Sequence, residues 1–168
     1  MQLKSLYGSV TTMTCSLQLD ASNNPNGLPS NPNAGREATA VSNASDLAVD
    51  VLVQVKTKLQ SGALANDQTV FIFGYGLMNG TSEYPDTCTG TDGYVSLNNP
   101  TQLVLIGQIP TGAANQAYVS NLFSVAAAFG GCLPSKWSLV IVNSTGVSLT
   151  NSSSDHSVTF QEIYYQGV

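Results

Sequence analysis

The sequence predicts an all-β chain: a jelly-roll-like antiparallel β-sandwich of about eight strands with an extended N-terminal arm. Three observations carry this expectation. Apolar and polar residues alternate over many short segments, which is the period of a strand with one buried face. Gly, Asn, Ser and Pro punctuate those segments with turn chemistry. Only 9% of the residues are charged, against roughly 25% in an ordinary soluble domain, so Asn, Ser, Thr and Gly do the solubilising. At 168 residues the chain is long enough for one core. The expected division is an arm over residues 1–10 and a single domain over 11–168.

Taken in order, residues 9–19 form a Thr-rich candidate strand. Residues 22–35 carry Pro25, Pro29 and Pro32 with Gly27 and Gly35, and read as a long loop or second arm. A short strand is expected near 38–42. In 47–55, Leu47, Val49, Val51, Val53 and Val55 alternate with Ala48, Asp50, Leu52 and Gln54. The β-branched residues favour a strand there over a helix. Residues 69–75 and 102–109 are apolar almost throughout, as expected of strands covered on both faces. Residues 137–142 and 157–165 are further strong candidates, with weaker ones at 93–97 and 146–149. Turns are expected at Ser61-Gly62, Asn79-Gly80, Asp92-Gly93 and Asn143-Ser144-Thr145-Gly146, the last closing a hairpin. In 117–131, Ala126, Ala127 and Ala128 favour a helix, whereas Val119, Phe123 and Val125 fit a strand. The expectation is a strand followed by a short helical turn. Val49, Val51, Val53, Phe71, Phe73, Val104, Ile106, Val140 and Val142 are the expected core and its flanking faces.

The charge pattern excludes several functions. The net charge is −5, and Lys4, Arg36, Lys56, Lys58 and Lys136 are scattered. Direct nucleic-acid binding needs clustered cations, so none is expected. No apolar run approaches the ~20 residues of a membrane span, and the first ten residues have no signal-peptide core. The expectation is synthesis in a cytoplasm, with Cys15, Cys88 and Cys132 as reduced, small buried hydrophobes.

Nothing in the sequence marks out a catalytic or metal site. Asp155-His156-Ser157 holds triad residue types, but contiguous residues do not converge as a triad does. His156 reads as an exposed loop histidine. No pair among the ten Asp and Glu stands out as the facing carboxylates of a glycosidase. Asp86 and Asp92 flank a Cys/Thr/Gly loop and read as solvated carboxylates in preference to cation ligands. Trp137 reads as a core anchor at the rim of a sandwich. Of the adjacent Tyr164 and Tyr165, one must point in and one out, and an outward Tyr suits a protein interface. The expectation is a non-enzymatic protein with no cofactor and no metal.

Three stretches together carry a resemblance. The first is Val51-Leu52-Val53-Gln54-Val55 running into residues 69–76. The second is residues 123–131 running into Leu133-Pro134-Ser135-Lys136-Trp137. The third is Val140-Ile141-Val142-Asn143-Ser144-Thr145-Gly146, with the chain closing at Tyr165-Gln166-Gly167. Over roughly residues 45–168 the chain resembles jelly-roll structural proteins of tailed bacteriophages, in particular capsid cement or decoration proteins.

The resemblance implies a virion protein on the capsid surface that bridges major capsid subunits, with no catalytic residues to carry over. It fits a homo-oligomer, a trimer or dimer, because the outer faces of 69–75 and 102–109 would need a partner. Leu3, Leu6, Tyr7, Leu28, Tyr164 and Tyr165 are the interface candidates, on the two arms and the last strand. The alternative is a receptor- or glycan-binding module of a phage tail or baseplate, which needs an exposed aromatic platform and a shallow groove with convergent Asn and Asp. A third reading, a small polysaccharide depolymerase, needs two facing carboxylates.

Overall fold

The computed structural model describes residues 3–78, 81–98 and 102–167. Among the described residues, eleven strands form two antiparallel sheets packed as a sandwich. They are β1 (Leu3–Met13), β2 (Ala34–Glu37), β3 (Val41–Ser42), β4 (Asp50–Lys58), β5 (Thr69–Leu77), β6 (Gly93–Ser96), β7 (Val104–Pro110), β8 (Ala117–Val119), β9 (Phe123–Ser124), β10 (Lys136–Ser144) and β11 (Ser157–Gly167). A single helical turn, α1 (Val125–Ala128), follows β9. The first sheet has the order β1-β11-β4-β8, with β9 also on β4. The second has the order β6-β2-β10-β5-β7, with β3 also on β10.

The inner faces meet in one core. Val51, Val53 and Val55 of β4 and Val158 and Phe160 of β11 face Val70 and Ile72 of β5 and Trp137, Leu139 and Ile141 of β10. Trp137 stands edge-on to Phe160, with ring centroids 5.6 Å apart. The two sheets then differ. β4 alternates buried and half-buried residues along its length, whereas eight consecutive residues of β10 are buried. The second sheet is therefore covered on both sides.

The cover is the chain's own. Tyr75, Leu77, Val140 and Val142 on the outer face of the second sheet form a second apolar cluster with Cys88, Val95, Leu97 and Leu103. Phe71, Phe73 and Tyr84 pack against it. For strand 69–75 this corrects the inference that the outer face needs a partner chain. The continuous apolar runs are accounted for on β5 by residues 81–98 and Leu103. β7 is covered less completely, with Leu105 exposed and Val104 and Ile106 half-buried.

Glu37 fastens this cover. It sits opposite Val140 on the outer face, with none of its surface exposed. Its carboxylate accepts hydrogen bonds from Tyr75 Oη at 2.5 Å, Thr89 N at 2.9 Å, Thr89 Oγ1 at 3.3 Å and Gly90 N at 2.7 Å. Burial, then the hydrogen bond to Glu37, pushes the Tyr75 hydroxyl pKa up. On the opposite side of β2, Arg36 Nε donates to Asp92 Oδ1 at 2.7 Å and its Nη1 to Asn23 Oδ1 at 2.9 Å. Burial raises the Asp92 pKa, but hydrogen bonds from Arg36 and Ser16 outweigh it and hold the carboxyl below its ordinary value. Asp92 is thus a structural ion-pair partner and not a solvated loop carboxylate.

Several expectations about segments are revised. Residues 3–10, expected as an arm, lie in β1; Met1 and Gln2 fall outside the described residues. The loop at 22–35 is folded onto the domain. Leu28 is fully buried in the core, its N–H donates to Leu17 O, and its carbonyl accepts from Leu149 N. Gly27 has φ +79°, and a Cβ there would collide with the Leu149 carbonyl oxygen, so this turn admits only glycine. Strand β4 begins at Asp50; Leu47 lies before it with φ +54° and is exposed. The turn at Asn143–Gly146 forms, with Gly146 at φ +88°, but 146–149 makes only an isolated bridge from Leu149 to Leu59. Near Asp92-Gly93, the positive φ falls on Gly90. Asn79-Gly80 lies outside the described residues.

Glu37 yields a stability prediction. Glu37→Ala leaves the buried Gly90 N–H and the buried Tyr75 hydroxyl without their acceptor, and each such group costs about 1–3 kcal/mol. Tyr75→Phe removes one donor and keeps the ring, so it should cost less. Urea unfolding should rank the variants in that order, with an intact core in both.

Candidate interaction surface

The outer face of the β1-β11-β4-β8 sheet has no such cover among the described residues. The register places Ser5 and Tyr7 of β1 on this face, opposite Tyr165 and Ile163 of β11. Gln161 and Thr159 continue the face opposite Leu52 and Gln54 of β4. Between Tyr7 and Val10 the register shifts, so Val10 also comes to this face, opposite Gln161. Leu122 borders it beside Leu52 and Val10. Tyr7 is 58% exposed, Val10 66%, Leu122 60% and Tyr165 62%, a concentration of large apolar side chains on one wet face.

Beyond Ile163, which pairs with Asp50, β11 pairs only with β1. Residues 3–6 and 164–167 therefore run on from the sheet as a two-stranded ribbon. Leu3 and Leu6 are exposed on it. Tyr164 lies on the face opposite to Tyr165, and its hydroxyl donates to Glu162 Oε2 at 2.5 Å. That bond to a carboxylate pushes its pKa up to about 12.

The ribbon, β4, α1 and residues 131–133 enclose a shallow groove of about 700 Å³. Tyr7 and Tyr165 form one wall; Asp50, Ser124, Ala127 and Cys132 lie across from it. Asp50 is committed to structure. Its Oδ1 accepts from Val51 N at 2.7 Å and Ala126 N at 2.9 Å, and its Oδ2 from Ser124 Oγ at 2.7 Å. Ser124 in turn caps α1 by accepting from Ala127 N. The groove thus presents two phenol rings over a hydrogen-bonded floor.

Of the interface candidates, the structure brings Leu3, Leu6, Tyr7, Tyr164 and Tyr165 together on the β1/β11 ribbon. Leu28 is a correction: it is a core residue and touches no surface. Val10, Leu52, Leu122 and Ile163 were missed. Leu52 and Ile163 carried a signal, since each is apolar at a position whose neighbours along the face are polar.

The remaining chemistry-bearing residues are placed elsewhere. His156 is buried, not exposed: its Nδ1 meets Thr57 Oγ1 at 3.1 Å and its Nε2 meets the Thr150 carbonyl oxygen at 2.8 Å. Asp155 accepts from Thr150 Oγ1 and pairs with Lys58 at 3.6 Å. Asp155, His156 and Ser157 form no nucleophile–base relay; His156 pins the turn before β11 to β4. Asp86 Oδ1 accepts from Asn98 N and Nδ2 at 3.1 Å. Cys88 is buried, Cys15 half-buried and Cys132 exposed, so the expectation of burial fails at Cys132. Among the described residues, no three His, Cys, Asp or Glu side chains are grouped to hold a metal ion. Among them, too, no helix is long and apolar enough to cross a membrane.

Burial lowers the pKa of His156 below its ordinary 6.5, against the opposing pull of Thr150 and Asp155 and with the help of Lys56. A depressed histidine adds stability that is complete above the unfolded value and is lost as pH falls through the folded one. The melting temperature should therefore drop as pH is lowered from about 7 towards 5, and His156→Gln should flatten that slope. The Asp92 and Asp155 contributions, both with lowered pKa values, are lost only at more acid pH, below 3.8.

The chain matches no protein-family model and no curated protein sequence.

Proposed function

We propose that the chain is a non-enzymatic virion structural protein, a capsid cement or decoration protein that stabilises a tailed-phage shell by bridging major capsid subunits. The observation that carries this reading is the asymmetry of the sandwich. One sheet is closed on its outer face by the chain itself, while the other presents Tyr7, Val10, Leu52, Leu122, Ile163 and Tyr165 to solvent. A large exposed apolar face on a chain with 9% charged residues suits contact with protein. The resemblance of residues 45–168 to cement proteins supplies the partner and the location.

The strand order supports the jelly-roll form of the fold. With β3, β6 and β9 set aside, β1 pairs with β11, β2 with β10, β4 with β8 and β5 with β7, all antiparallel. These pairs are nested in sequence, as in one long hairpin. Rolling such a hairpin would set β11 beside β4 and β10 beside β5, as they stand here, and this order supports reading the sandwich as a jelly roll. Such a fold hosts many functions and carries none by itself.

A glycan-binding role on a tail or baseplate is the second reading, and the exposed rings of Tyr7 and Tyr165 lining the groove favour it. The two readings place the protein differently on a particle. Antibody labelling of intact particles, seen by electron microscopy, should decorate the shell; label confined to the tail would favour the glycan reading. Particles assembled without the chain should release their DNA at lower temperature. Unchanged release would overturn the cement role.

A further inference from the structure

β1 is the last strand of its sheet, and among the described residues no strand pairs its outward side. It offers unpaired backbone donors and acceptors along 11 residues, contains no proline, and carries one charge, Lys4. Such an edge is a template for another strand. We propose that β1 pairs antiparallel with β1 of a second copy about a two-fold axis, joining two β1-β11-β4-β8 sheets into one.

The choice of a second copy follows from the register. Side chains that oppose one another across an antiparallel pair share a face. Before the bulge, Ser5 and Tyr7 lie on the outer face and Lys4 and Leu6 on the other. Gly8 and Ser9 together stand opposite Glu162, because Tyr7 pairs with Ile163 and Val10 with Gln161. The extra residue inverts the alternation, so Val10 and Thr12 lie outward and Thr11 and Met13 inward. A strand that pairs with the whole of β1 must carry a matching inversion. The same strand turned through a two-fold carries it by construction.

Keeping faces together along the full length then gives one centred register. Tyr7 lies opposite the second copy's Val10, Leu6 opposite Thr11, Ser5 opposite Thr12 and Lys4 opposite Met13, with both bulges at the axis. Tyr against Val is a favourable cross-strand pair. The two lysines fall at opposite ends of the joint, about 30 Å apart at ~3.4 Å per residue, well beyond the ~8 Å screening length. A lone lysine and a bulge are devices that ordinarily blunt an edge. Here the lysine sits at the end of the joint and the bulge at its centre. This pairing does not rest on the cement reading, since it holds for the free protein.

Sedimentation velocity of the full chain at about 100 µM should show a dimer if the dissociation constant is micromolar or tighter. The double variant Tyr7→Lys/Val10→Lys sets lysine against lysine twice across the axis. Both sites are exposed, so it should be a folded monomer by far-UV circular dichroism and sedimentation. In a Cys132→Ser background, mixing Leu6→Cys protein with Thr11→Cys protein under mild oxidation should link the two as a heterodimer. Neither variant alone should link beyond the background chain. A monomeric wild-type chain at that concentration would overturn the proposal. So would a dimer that survives the double lysine variant, or single variants that cross-link as readily as the mixture.

Discussion

The outer face of the β6-β2-β10-β5-β7 sheet is closed by a segment that has little regular structure of its own, and Glu37 is what fixes that segment in place. A carboxylate with no exposed surface must have its oxygens satisfied. Here the donors come from Tyr75 within the sheet and from Thr89 and Gly90 in the covering segment. Satisfying Glu37 therefore requires the cover to be on. Arg36, one residue away and facing the core, makes the same demand through Asp92 and Asn23. Two consecutive charged residues on one short strand thus hold the 14–33 loop and the 81–98 segment against the two faces of one sheet.

That closure gives the other sheet its meaning. A sandwich has two inner and two outer faces, and this chain covers three of the four. The fourth carries the exposed rings and aliphatic side chains of β1, β4 and β11, and it ends in a ribbon that runs past the core. Its polar residues are mostly Ser, Thr and Gln; Asp50 is taken up in capping the turn at α1, Lys58 is paired with Asp155, and Lys56 donates to the Ser154 carbonyl oxygen. A face with this composition has apolar area and neutral hydrogen-bonding groups but no strong field. It suits broad contact better than the capture of an ion or a charged substrate.

Much of the sandwich was legible because strand alternation is a local property. Residues 69–75, 137–142 and 157–165 declared themselves through period and β-branching, and the short helical turn after Phe123 through its alanines. The misreadings share a cause: they turn on distant partners. Leu47 has the parity of Val49 and Val51, yet its left-handed backbone ends the strand before it. The 22–35 loop has the composition of an arm, yet Leu28 fills a hole beside Leu17 and Leu149 and Asn23 accepts from Arg36, which tether it to the domain. Cys88 looks like an isolated apolar residue in a loop, and Val95, Leu97 and Leu103 like parts of separate strands, until β5 and β10 are placed beneath all four. Of the surface, the tyrosines were readable as outward aromatics. Val10 reaches the same face only because of the bulge at Gly8 and Ser9, which no pattern announces.

The central claim is that the chain closes one outer face itself and leaves the other for protein contact. The direct test is hydrogen–deuterium exchange on the free chain and on the chain mixed with capsids of the proposed kind. Thr89 and Gly90 should exchange slowly in both states, with new protection on binding confined to residues 3–13, 50–54 and 159–167. New protection centred on residues 84–97, or none along β1 and β11, would contradict it.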